Sequence, residues 1–137
     1  MTHIQFSLAY WCVLVAALLP VVCAGIAKSG RFGIARSQGG YDNNNPRAWL
    51  AQQDDWRARA NAAQANSFEA LPFFFGALVI AHQLAAPQSL LDLLAIVFVA
   101  LRLLYIYLYL ANRAALRSMV WSLGLAVNIA ILFCGYR

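Results

Sequence analysis

Four stretches of the chain are almost continuously apolar: Phe6 to Ala27, Phe68 to Ala86, Leu90 to Ala111 and Leu116 to Tyr136. About 20 apolar residues rising about 1.5 Å each are needed to cross about 30 Å of hydrocarbon, and each stretch meets that length. Backbone polar groups in lipid must be satisfied internally, and unbroken runs suit helices rather than the alternating strands of a barrel. The pattern predicts an all-α integral membrane four-helix bundle of left-handed, up-down topology, forming one domain over residues 1–137. Its helices are expected at about 6–27, 57–86, 90–111 and 116–136, with a loop over 28–56. The first half of that loop holds Gly30, Gly33, Gly39, Gly40 and the run Asn43-Asn44-Asn45-Pro46, and reads as irregular. From Arg47 no Gly or Pro occurs before Pro72, so a helix is expected to start there or just after Asp55 and to continue into the second span.

The first stretch competes with a cleaved signal peptide, because Val22-Cys23-Ala24 loosely fits a small-residue cleavage site. The flank Met1 to Gln5 carries no Lys or Arg, and the apolar run is long for a signal core, which favours a retained helix. Pro20 lies inside it and should kink it or open a local gap in its hydrogen bonding.

Composition agrees with the pattern: 63% of residues are hydrophobic and 11% charged, against about half and about a quarter in soluble domains. The net charge of +5 is explained by where the cations fall. Lys28, Arg31, Arg36, Arg47, Arg57 and Arg59 lie between the first two spans, and Arg113 and Arg117 lie before the fourth. In a four-crossing chain these loops share one side, leaving only Arg137 on the other and Arg102 within a span. The positive-inside rule then puts both basic loops in the cytoplasm and both termini outside. No nucleic-acid partner is needed. Cys12, Cys23 and Cys134 are too far apart or too apolar in setting to suggest a disulfide or a catalytic thiolate, and no ligand set suggests a metal.

Ionisable groups inside hydrocarbon are candidates for function. Asp92, in the first turn of the third helix, suits a capping role. His82, with no second ligand beside it, suits packing or the interface. Arg102 lies about 13 Å above the end of its helix, close to the midplane, where an unpaired arginine costs at least about 2.5–3.5 kcal/mol. It should therefore face the bundle and meet an anion, and Glu69 is the only acid entering from the cytoplasmic side.

Helical spacing groups the polar residues into three stripes: Arg59, Asn66, Glu69, Phe73 and Gly76; Arg102, Tyr105, Tyr109 and Asn112; and Arg117, Trp121, Gly124 and Asn128. Each has a plain structural alternative. Asn66 and Glu69 fit an N-cap with its partner three residues on, Tyr105, Tyr107 and Tyr109 fit an aromatic belt, and Arg113 and Arg117 fit positive-inside anchors. One shared polar site accounts for all three stripes and for Arg102 together.

The segments Arg59-Ala60, Asn66-Ser67-Phe68-Glu69-Ala70-Leu71-Pro72-Phe73-Phe74, Arg102-x-x-Tyr105-x-x-x-Tyr109 and Arg117-Ser118-x-Val120-Trp121-x-x-Gly124 resemble the MAPEG family, membrane-associated proteins in eicosanoid and glutathione metabolism. The likeness runs from about Asn45 to the C-terminus and is to a short bacterial branch. It implies a homotrimer in the bacterial inner membrane with glutathione bound between subunits near the cytoplasmic surface. By that resemblance Arg59, Asn66, Glu69, Arg102, Tyr105 and Tyr109 hold glutathione, and Arg117, or as second choice Arg113, activates its thiol. The chain departs from the mammalian pattern where Ala62 replaces an arginine and Ala70 a tyrosine.

The function so implied is a glutathione-dependent transferase or peroxidase acting on hydrophobic electrophiles or lipid hydroperoxides, with the bilayer and a hydrophobic small molecule or lipid as partners. The alternative is a non-enzymatic lipid-binding or scaffold protein of the same family.

Overall fold

A computed structural model describes residues 6–136. The flank Met1 to Gln5, used in weighing a signal peptide, and Arg137, used in reading the orientation, lie outside these residues. The regular elements of the described chain are all helical: α1 (Leu8–Lys28), a 3-10 turn (Arg36–Gln38), α2 (Pro46–Ala51), α3 (Trp56–Gln83), α4 (Gln88–Leu110) and α5 (Ala114–Phe133). α1, α3, α4 and α5 are each long and apolar enough to cross a membrane.

The four long helices pack through small residues. Ala9, Cys12, Ala16, Leu19, Cys23 and Ala27 are buried along α1, and Ala60, Ala63, Ser67, Phe74, Ala77 and Ala81 along α3. Both sets step by three and four, with one step of seven from Ser67 to Phe74, which keeps one seam facing one neighbour. In lipid there is no hydrophobic drive between helices, so close backbone approach over small side chains supplies the attraction. Large side chains point away: Trp11, Leu14, Leu18, Val21, Val79, Leu103, Tyr107 and Met119 are exposed. The core is centred on Phe74 and Phe98, stacked at 4.2 Å between α3 and α4, and Cys12 and Cys23 serve as packing residues in the seam. α1 continues through the buried Pro20 without a break in helix.

Helix ends fix how the elements meet. Asp92 accepts the backbone N–H of Ala9 at 2.8 Å and the Gln88 side chain at 2.7 Å. Its capping role is thus directed at the start of α1, a different helix from its own, and ties the beginnings of α1 and α4 together. At the other end, Arg59 Nε donates to the carbonyl of Leu110 at 3.1 Å, joining the start of α3 to the last turn of α4. α3 and α4 close with Ala85 (φ 53°) and Asn112 (φ 56°) in the left-handed region, where Ala86 N–H reaches Ala81 O and Arg113 N–H reaches Leu108 O.

The connector between α1 and α3 is more ordered than its glycines suggest. α2 is a separate turn-and-a-half, and α3 begins at Trp56, so both expected helix starts are used with a break between them. Asp55 caps α3 by accepting the amide of Arg57, and burial of the carboxyl is outweighed by the Arg57 amide and guanidinium, which hold its pKa below the ordinary value. Arg57 also donates to Ser29 O at 3.2 Å. Arg36 pairs with Asp42 at 3.3 Å, and Tyr41 N–H donates to Arg31 O. Gly40 has no alternative at its position, because a Cβ there would collide with the carbonyl of Ile34. Trp49, Leu50 and Tyr41 close over Ala27 and Ala60, so the connector covers one end of the bundle.

Replacing Asp92 with Ala removes the α1 cap and is expected to lower stability by about 1–2 kcal/mol, seen as a lower thermal midpoint in detergent. Ala85→Gly should raise it by about 0.5–1 kcal/mol, since the strain of a left-handed alanine is relieved.

Candidate functional site

α3 carries its polar residues well inside the helix. Its N-cap is Asp55, so Asn66 is far from the start and is not itself a cap. Its side chain instead faces α4. Arg102, 5% exposed, donates through Nη2 to Asn66 Oδ1 at 3.0 Å and to Ser67 Oγ at 3.3 Å. Its guanidinium carbon lies 4.3 Å from the centre of the Tyr105 ring. Asn66 Nδ2 in turn donates to Glu69 Oε2 at 3.3 Å. The amide of Asn66 therefore sits between cation and acid, accepting from one and donating to the other.

The expected direct anion for Arg102 is missing from this set. Among the described residues the ion pairs are Arg36 with Asp42 and Arg57 with Asp55. Arg102 is solvated by a neutral amide, a hydroxyl and an aromatic face, and its charge is left unneutralised. A second cation stands nearby: the Arg117 guanidinium lies 4.0 Å over the Tyr109 ring, and Tyr109 packs edge-on against Tyr105 at 5.6 Å.

Two adjoining cavities open on these residues. One, of about 160 Å³, lies among α3, α4 and α5 and is lined by Asn66, Glu69, Ala70, Phe73, Phe98, Leu101, Arg102, Val120, Trp121, Gly124, Leu125 and Asn128. The other, more open and of about 260 Å³, is lined by Asn66, Tyr105, Arg117, Ser118, Trp121 and Ser122. Asn66 and Trp121 belong to both. The three polar stripes expected from helical spacing converge here through Asn66, Glu69 and Phe73 on α3, Arg102 and Tyr105 on α4, and Arg117, Trp121, Gly124 and Asn128 on α5.

Some members of those stripes go elsewhere. Arg59 is engaged with the Leu110 carbonyl and lines neither cavity. Asn112 is the left-handed residue closing α4, and Gly76 faces outward. Arg113 is exposed in the turn before α5 and also lines neither cavity. Tyr109 acts on the site through its contact with Arg117. His82 packs against the Tyr10 ring at 5.2 Å, and Tyr107 is exposed on the opposite side of α4 from Tyr105. Ser67 is the residue that the stripes did not include. Its signal was present in the sequence: it is a small hydroxyl beside Asn66 on the packed seam of α3, placed to share the same cation.

Four apolar helices, three of which enclose a cavity lined by charged and polar side chains, mark a multi-pass membrane protein. The chain belongs to the MAPEG family, whose model matches residues 8–136. In the comparisons with curated proteins and with solved structures, nothing matches. The family includes glutathione transferases and peroxidases as well as other members, so membership sets a class of chemistry and leaves the activity to be argued from the residues.

The amide bridge is open to a double-mutant cycle. Asn66→Leu should destabilise by about 1.5–3 kcal/mol, because Arg102 loses a buried acceptor. In an Arg102→Leu background the same change should cost much less. Equal losses in both backgrounds, measured by denaturant unfolding in detergent, would show that the two side chains do not act together.

Proposed function

We propose that the chain is a glutathione-dependent transferase or peroxidase that acts on hydrophobic electrophiles or lipid hydroperoxides. On this reading it is a homotrimer of left-handed up-down bundles in the bacterial inner membrane, with both termini outside and the basic connector and α4–α5 turn in the cytoplasm. The observation that carries the reading is the buried, unneutralised Arg102, with Arg117 beyond the Tyr105–Tyr109 ring pair and one acid, Glu69, across the amide of Asn66.

That charge pattern complements glutathione. The tripeptide carries carboxylates and an ammonium, so Arg102 can meet a carboxylate and Glu69 the ammonium, while Arg117 is left for the thiol. Arg102 and Asn66 supply donors for a carboxylate, Glu69 an acceptor for the ammonium, and Tyr105 a phenol at the shared wall. A carboxylate is also what Arg102 lacks: an arginine in a low-dielectric interior gains most from an ionised partner.

Arg117 is the residue to which thiol activation is assigned. It is the fourth residue of α5, so its guanidinium and the positive helix end act in the same region. A free thiol near pKa 8.5 is mostly protonated at neutral pH, and nearby positive charge favours the thiolate. The thiolate then attacks an electrophilic carbon, forming a C–S bond as the leaving group departs with the bonding pair. Arg113, exposed and away from both cavities, lacks that placement. Arg59 is assigned to closing α4 rather than to holding ligand.

Purified protein should bind glutathione saturably and conjugate a generic aromatic electrophile. Arg117→Ala should lower the rate at neutral pH about tenfold or more and move the thiol's apparent pKa up, so that raising the pH recovers much of the loss. A pH profile of single-turnover rates reads this directly. Lipid retained in the groove together with no thiol chemistry at any pH would select the non-enzymatic scaffold reading instead.

A further inference from the structure

Tyr109 and Arg117 meet across the turn that joins α4 to α5. Tyr109 stands in the last turn of α4, and Arg117 is the fourth residue of α5. Between them Asn112 takes the left-handed conformation, and Arg113 N–H closes back on Leu108 O. This tight reversal brings the two side chains level, with the Arg117 guanidinium carbon 4.0 Å from the centre of the Tyr109 ring. Tyr109 meets Tyr105 edge-on at 5.6 Å, and the face of Tyr105 carries Arg102 at 4.3 Å. Two rings therefore stand between two guanidiniums.

We propose that Tyr109 is a positioning residue that acts through its ring face, holding the Arg117 guanidinium at the 260 Å³ cavity with its charge intact, and that its phenol does not hold ligand. For its catalytic consequence this rests on the reading of Arg117 as the group that activates the thiol. Three observations carry it. Tyr109 lines neither cavity, whereas Arg117 and Tyr105 line the more open one, so its influence on the site passes through those two neighbours. Its ring is itself held in place, packing against the buried cluster around Cys23 and Ile106 and against the one around Leu108 and Val120. A plate fixed in this way gives a long, flexible arginine side chain a defined resting place. Finally, the ion pairs among the described residues do not include Arg117. A carboxylate in that place would cancel the charge a thiolate needs, whereas the ring quadrupole attracts a cation without neutralising it.

The test compares Tyr109→Phe, which keeps the ring, with Tyr109→Leu, which removes it, in the purified full chain. Tyr109→Leu should lower the single-turnover rate at neutral pH about threefold to tenfold and raise the apparent pKa of the bound thiol, so that high pH recovers the loss. Its Kd for glutathione should stay at the wild-type value. Tyr109→Phe should recover the wild-type pH profile. The double variant Arg117→Ala with Tyr109→Leu should be no slower than Arg117→Ala alone, because a positioning residue has nothing left to position. A Tyr109→Phe protein with a weakened Kd, equal losses in Tyr109→Phe and Tyr109→Leu, a loss that persists at high pH, or additive losses in the double variant would each overturn the proposal. A second readout needs no activity. In glutathione-free protein the Arg117 side-chain Nε–H resonance, identified by its disappearance in Arg117→Ala, should carry an upfield ring-current shift that Tyr109→Phe keeps and Tyr109→Leu abolishes. A resonance that does not move in Tyr109→Leu overturns the placement itself. If the wild type binds no glutathione while the shift is present, the transferase or peroxidase reading fails and the positioning contact stands.

Discussion

The guanidinium of Arg102 is the constraint around which the interior is arranged. At 5% exposure within a membrane-spanning helix it is the one fully buried charge among the described residues. Insertion of an arginine at such a depth costs about 2.5–3.5 kcal/mol even with local adaptation. Hydrogen bonds to charged groups return about 1.5–3 kcal/mol each, and Asn66 and Ser67 supply two, with the Tyr105 face adding a cation–π contact. These contacts make the burial tolerable without cancelling the charge. A carboxylate in direct contact would have neutralised it and closed the site to an external anion. The relay through Asn66 holds Glu69 at one remove, so the acid remains available while still oriented by the helix that bears it.

The same constraint explains the division of labour among the helices. α1 and α3 meet through alanines, cysteines and a serine, and that seam brings the α3 backbone close enough for Ser67 to be buried facing Arg102. α4 contributes the charge and the rings stacked against it. α5 shares less of its surface with the core, burying only Val120, Gly124, Asn128 and Ile131. The cavities consequently open where α5 faces α3 and α4. The end of the bundle nearest Arg59 and Leu110 is closed by the connector, where Arg57, Asp55 and Ser29 O are joined by hydrogen bonds.

What could be read from sequence follows from which contacts are periodic. Long apolar runs define spanning helices by length alone, and residues three and four apart share a face whatever they pack against. Arg102, Asn66, Glu69, Tyr105, Arg117 and Asn128 could therefore be grouped from their spacing. The partner chosen across the bundle carries no such period. Asp92 sits where a cap for its own helix is expected, yet its acceptor is spent on Ala9 of α1, eighty-three residues away. Arg59 shares the face of Asn66 in projection but lies two turns earlier, level with the end of α4, and its donor goes to Leu110 O. Whether Arg102 would meet Glu69 directly or through an intermediary depended on the length of one amide side chain and on helix separation, neither of which the pattern contains.

Occupancy of the site and stability of the bundle are thermodynamically linked. A ligand that binds the folded chain and not the unfolded one adds RT ln(1 + [L]/Kd), about 2.7 kcal/mol at a hundredfold excess over Kd. The linkage is strongest for a group the fold leaves without an ionised partner, Arg102, which lines the cavity among α3, α4 and α5. A bundle held mainly by small-residue packing has little surplus to spare for such a group. Retaining a buried, unneutralised cation fits a cavity that receives an anion, because an ionised partner is what relieves the cost of burying the charge.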